Sequence, residues 1–156
     1  MRSLLALAFC LCEPFALAAD PVLLFDLTMV EGSGDAPMIV AWVEKTDGTF
    51  VRSLHMFNKD KKYYKEMLTW SSAREGRETE KELDAVVGPT PAWGSHQVVR
   101  VPAAGILEEG MVLRIEQRKD KGGHYKKRKL PLAPDWPGAT LTKEGYLANL
   151  MITVER

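Results

Sequence analysis

Cysteine is nearly absent from this chain. Of its 156 residues two are cysteines, Cys10 and Cys12, both within the first twelve positions. Once that segment is removed, neither disulfide nor thiolate chemistry remains, and the rest must be held by its core alone. Neither sign of charge is in excess, since 21 Lys and Arg face 21 Asp and Glu. That balance argues against a protein that binds nucleic acid or anionic lipid mainly through bulk charge. Beyond the first twenty residues no stretch approaches the ~20 apolar residues that cross a bilayer as a helix. Reaction motifs are missing too: there is no Gly-x-Ser-x-Gly elbow, P-loop, His-Glu-x-x-His pair or glycine-rich dinucleotide turn.

The N-terminus carries the strongest positive signal. Met1-Arg2-Ser3 opens the chain with one positive charge, and Leu4 to Leu11 then runs apolar without a break. That run has the length of a signal-peptide core and is too short to span a membrane. Pro14 breaks any helix extending from it. Ala16-Leu17-Ala18 supplies the small-x-small pattern that signal peptidase requires. The cut is placed after Ala18, with Ala19 as a near alternative. Residues 1–18 are thus read as a cleaved signal peptide and residues 19–156 as one domain, working in the periplasm. Cys10 and Cys12 follow Phe9 and Leu11, not the small residue a lipoprotein signal needs. Cleavage removes Arg2 and Glu13, one charge of each sign. A domain of the remaining size buries about two thirds of its unfolded surface, enough for a core without disulfides.

The remainder reads as short strands and turns. From Pro21 to Val30, Leu23, Phe25, Leu27 and Met29 share one face at period two. Met38 to Glu44 is almost wholly apolar, as in a central strand covered on both faces. Asp47-Gly48 marks a hairpin before a strand over Thr49 to Phe57, because Gly tolerates the positive φ of a tight turn. Tyr63, Tyr64, Met67, Leu68 and Trp70 define one helical face within Asn58–Arg77, read as one or two turns packed on a sheet edge. Ser71 to Glu82 is charged and poor in apolar residues, which predicts a mobile loop. Gly88-Pro89-Thr90-Pro91 and Gly94 mark turns. Ser95 to Val101 places Gln97, Val99 and Val101 on one side. Met111 to Gln117 points Met111, Leu113 and Ile115 inward, with Arg114 and Glu116 outward. His124 to Leu132 pairs back across Lys121-Gly122-Gly123. Pro131, Pro134 and Pro137 exclude regular structure nearby. Tyr146, Ala148, Leu150, Ile152 and Val154 share a face of the last strand. The fold class is therefore mostly β: an immunoglobulin-like antiparallel β-sandwich of about seven strands with one short helical segment.

Three places carry a family resemblance. Ala41-Trp42-Val43-Glu44 and then Asp47-Gly48-Thr49-Phe50-Val51-Arg52-Ser53-Leu54 form a hairpin followed by Trp70. Asp84-Ala85-Val86-Val87-Gly88-Pro89-Thr90 matches an Asp-Ala-x-x-Gly-x-Thr pattern. Leu113-Arg114-Ile115-Glu116 precedes Gly122-Gly123. Together, from about Pro37 to Tyr125, these resemble a bacterial family of predicted periplasmic proteins known as domain of unknown function 2271. The resemblance implies export and an immunoglobulin-like β fold. It also suggests genes neighbouring heme and iron uptake or flavin-transfer systems, an association rather than a mechanism. Many members carry Trp-Asp-Gly and a further Asp-x-x-Gly after the strand matching Ser95–Val101. Here Val99-Arg100-Val101-Pro102-Ala103 stands instead, so functions tied to that acidic loop do not transfer.

Candidate functional side chains are sparse. His55, His96 and His124 are the only histidines and the weak candidates for a metal site, but they are far apart in sequence and lack the close pairing that nucleates one. His55-Met56 and Ser95-His96 are adjacent on strands and so point to opposite faces. The methionines are scattered as core filler rather than clustered as copper ligands. From Arg118 to Lys129, seven of twelve residues are cationic: Arg118, Lys119, Lys121, Lys126, Lys127, Arg128 and Lys129. They offer an anion- or partner-binding patch, although an edge-protecting hairpin is the simpler account. No catalytic residue, metal site or cofactor is assigned. The sequence reads as a non-enzymatic accessory or binding domain for an unknown periplasmic protein or small ligand, not for nucleic acid. The alternative is a periplasmic metal- or heme-handling protein linked to iron uptake.

Overall fold

A computed structural model describes residues 19–156, the side chains of Lys126 and Lys127 excepted. The proposed signal peptide, with Cys10 and Cys12, lies outside the described residues. Nine strands form two sheets. They are β1 (Val22–Met29), β2 (Met38–Lys45), β3 (Phe50–Phe57), β4 (Val87–Gly88), β5 (His96–Pro102), β6 (Met111–Arg118), β7 (His124–Pro131), β8 (Ala139–Glu144) and β9 (Leu147–Glu155). One sheet has the order β5-β1-β9-β8 and the other β4-β3-β2-β6-β7. Every pairing is antiparallel except the short β3–β4 contact.

The inner faces of the two sheets share one core. Leu23, Phe25, Leu27 and Met29 of β1 are buried in it, on the face their period-two spacing predicts, with Ile39, Ala41 and Val43 of β2 and Leu113 and Ile115 of β6. Gln117 ties the sheets at one end: its amide oxygen accepts from the Tyr146 N–H at 2.9 Å, and its amide nitrogen donates to the Glu144 carbonyl at 3.2 Å. At the other end Arg52 Nη2 donates to the carbonyl of Pro102 at 2.9 Å. The Asp47-Gly48 turn forms as expected. Gly48 sits at φ 88°, and the Asp47 carboxylate accepts from the Thr49 N–H at 2.8 Å.

The segment between β3 and β5 departs most from expectation. A 3-10 turn (Lys61–Glu66), α1 (Leu68–Arg74) and α2 (Glu80–Asp84) lie across the outer face of the five-stranded sheet, not along its edge. Tyr64, Met67, Trp70 and Leu83 form a second core there with Met38, Val40 and Trp42 of β2 and Phe50 and Met56 of β3. Leu68, grouped with the buried helical face from its spacing, is instead exposed. The stretch read as a mobile loop, Ser71–Glu82, holds the end of α1 and the start of α2. Two devices order it. Thr79 and Glu82 make a reciprocal capping box that opens α2. Glu78 accepts hydrogen bonds from the Ser53 N–H and hydroxyl, both at 2.8 Å, which pins the turn to β3.

Two further corrections concern strands. Gly88 was expected only as a turn residue, but Val87–Gly88 pairs with Met56–Phe57. Glycine is needed there because a Cβ would collide with the His55 ring. The prolines do not exclude structure as far as expected. Ala139–Glu144 forms β8 against β9, with Leu141 as its one buried side chain, and a single inward residue leaves little periodic signal to read.

Candidate functional site

Four of the six buried polar residues among those described lie between the five-stranded sheet and its helical cover. Glu44, Ser53, Arg114 and Glu116 are all buried there. Arg114 and Glu116 do point away from the shared core, as their alternation predicts, but they meet helices rather than water. The reason is legible in β2: a strand apolar on both faces requires a cover, and its neighbour β6 lies under the same one.

Each buried charge is matched. Glu116 is fully buried, and its carboxylate accepts the N–H groups of Thr69 at 3.2 Å and Trp70 at 2.9 Å, at the start of α1. It thereby does the work of an N-cap, which Met67 at that position cannot do. Its other partner is His124 Nε2 at 2.5 Å. The Arg114 Nη1 donates to Glu44, and the guanidinium lies over the Trp42 ring, 5.3 Å from its centroid. Ser53 Oγ donates to Glu78 and accepts from the Trp70 indole N–H at 2.8 Å. Tyr64 donates to the Asn58 carbonyl at 2.9 Å, and burial raises its pKa above the usual phenol value.

Clefts open beside this layer, among them two large ones. One, of about 620 Å³, is lined by Lys61, Lys65, Arg74, Glu75, Glu78 and Glu80. Its charges balance, and Arg74 and Lys61 are already paired with its acids. The other, of about 710 Å³, lies between α1 and the β6–β7 edge and is lined by Glu44, Gly48, Thr69, Ser72, Arg114 and Lys129.

The three histidines are not brought together. His55 lies on β3, His96 on the edge strand β5 of the other sheet and His124 on the edge strand β7. His96 Nε2 contacts Asp26 at 2.8 Å in an exposed pair. His55 packs edge-on against Phe57, and burial pushes its pKa down to about 4. Its Nε2 has no partner among the described residues. No group of three metal-ligating side chains occurs among the described residues.

The basic hairpin is partly consumed by the fold. Arg118 pairs with Glu66 at 3.3 Å, and Arg128 with Glu144 at 2.9 Å. Lys119 donates to the Ser33 carbonyl at 3.2 Å and stands over Trp93. Lys121 and Lys129 are exposed and have no ion pair among the described residues. The side chains of Lys126 and Lys127 lie outside the described residues. Sequence reading reached Lys129 through charge density, but missed Glu44, Ser53, Glu78, Arg114 and Glu116. The Thr-x-x-Glu at Thr79–Glu82 was the available sign that the covering segment is ordered.

Among the described residues no helix is long and apolar enough to cross a membrane. The chain matches no curated protein and no solved structure. Residues 23–148 match the family described as predicted periplasmic protein, domain of unknown function 2271, and the chain belongs to that family.

Proposed function

We propose that the chain is exported through a signal peptide cut after Ala18. Residues 19–156 then act in the periplasm as one immunoglobulin-like sandwich, a non-enzymatic accessory or binding domain. The observation that carries this reading is how the reactive side chains are used. Among the described residues Ser53 is the serine hydrogen-bonded to a carboxylate, the arrangement a nucleophile would need, yet it is buried and its oxygen both donates to Glu78 and accepts from Trp70. Glu116, in contact with His124 as an acid–base pair, holds the start of α1. Groups of catalytic type thus serve as fasteners, and a polar cleft of ligand size opens beside α1, whose start Glu116 holds.

Native mass spectrometry of the protein purified from the periplasm without chelator tests the reading. A chain beginning at Ala19 with a bound small molecule or protein partner supports it. A full-length mass removes the export step. A reproducible metal or heme adduct, lost when His55, His96 and His124 are replaced, would give precedence to the metal- or heme-handling alternative.

A further inference from the structure

We propose that the cleft between α1 and the β6–β7 edge binds a small oxyanion, a phosphate or carboxylate group on a soluble molecule. This rests on the reading of the chain as a binding domain and names its ligand class. The first ground is charge. Arg114 and Lys129 face one acid, Glu44, so among the described residues this lining carries one excess positive charge, whereas that of the neighbouring cleft is balanced. Lys129 stands opposite Arg114 in the β6–β7 register and has no ion pair among the described residues.

The second ground is the state of Arg114. Its side chain is 5% exposed. A guanidinium offers five N–H donors, but the hydrogen bond found for this one is a single bond, from Nη1 to Glu44. Its Nε is buried without a partner among the described residues. With one hydrogen bond, to Glu44, and a place on the cleft wall, this guanidinium keeps N–H groups free for an anion in the cleft. An oxyanion in the cleft would meet the Nη edge of the guanidinium, since Nε is closed off from it. The planar fork suits the oxygens of phosphate or carboxylate, and Lys129 adds a mobile point charge. Thr69 and Ser72, three residues apart on α1, add hydroxyls on the same wall. A cationic ligand would be repelled by the excess charge, and an apolar one would leave these donors dry and unpaired.

The rim is open as well. Around the Cβ position of Gly48, in the β2–β3 turn, no atom beyond Gly48 and its neighbours Asp47 and Thr49 lies within 4 Å.

The test is a titration of the purified protein, followed by NMR, with inorganic phosphate in one arm and succinate in the other, at constant ionic strength. Saturable shifts at Thr69, Ser72, Lys129 and the Arg114 side-chain N–H are expected in at least one arm, and the responding arm identifies the group. Lys129→Gln, at an exposed position, should weaken binding about tenfold and leave the unfolding midpoint unchanged. Absence of saturation with both anions overturns the proposal, as does equal binding by the Lys129→Gln variant. If neither anion binds but native mass spectrometry still shows another ligand or a partner, this site falls and the binding-domain reading stands.

Discussion

On the outer face of the four-stranded sheet, His96 meets Asp26 at 2.8 Å with the histidine mostly in solvent. On the outer face of the five-stranded sheet, His124 meets Glu116 at 2.5 Å, and the carboxylate is wholly buried beneath α1. Both pairs join a carboxylate to an imidazole across neighbouring strands. What separates them is the segment between β3 and β5, which folds over one sheet and leaves the other open. In solvent such a pair is screened and weak. Under a helix the carboxylate must be matched by every available donor or it becomes a large penalty. The same division runs through the hydrophobic residues: the covered face gains a second core around Trp42 and Trp70, while the open face leaves Val98 and Met151 exposed.

Substitutions on the two faces should widen or close that contrast. Glu116→Ala strands the N–H groups of Thr69 and Trp70 together with His124, and is expected to cost about 3–5 kcal/mol in urea unfolding, the range for breaking a buried charged network. A loss below about 1 kcal/mol would mean that water reaches this carboxylate and that the two faces are alike. His55 supplies the next largest effect. Its pKa in the fold is about 4, against about 6.5 when unfolded, so between those values the unfolded chain takes a proton that the folded chain refuses. Its contribution is therefore complete above about pH 6.5 and is lost as pH falls toward 4. Unfolding free energy measured at pH 7 and pH 4.5 should drop more in the native protein than in His55→Gln, and equal drops would show that His55 is not held neutral.

Thr79→Ala removes the capping box and should cost about 1 kcal/mol, with faster amide exchange confined to α2 and the Glu75–Thr79 turn. Spread of that exchange into α1 would show that the cover melts as one unit. Asp26→Ala breaks the exposed pair and should change stability by less than about 1 kcal/mol. A cost rivalling that of Glu116→Ala would dissolve the contrast altogether.

Strands whose residues face one core were legible because their signal is local. Alternation in β1 placed four side chains correctly, and the unbroken apolar run of β2 announced two covered faces. The cover itself was half legible. Tyr64, Met67 and Trp70 gave its helical stripe, but the charged residues after Trp70 resembled loop. Glu78 and Glu82 look like solvated surface until Ser53 and Thr79 are found beside them. The buried ion pairs were not legible at all. Nothing near Arg114 in the chain tells that Glu44, seventy residues away, will be its partner.

By itself, then, the amino-acid order determined the mostly β class, the Asp47-Gly48 turn, the inward faces of β1 and β6 and the family. These follow from side-chain period and backbone preference, which act over a few residues. Only the tertiary structure decided that Arg114 and Glu116 are buried, that the three histidines stay apart and that one sheet is covered while the other is open. Burial of an outward-facing side chain depends on which distant segment packs over it, and no local pattern encodes that.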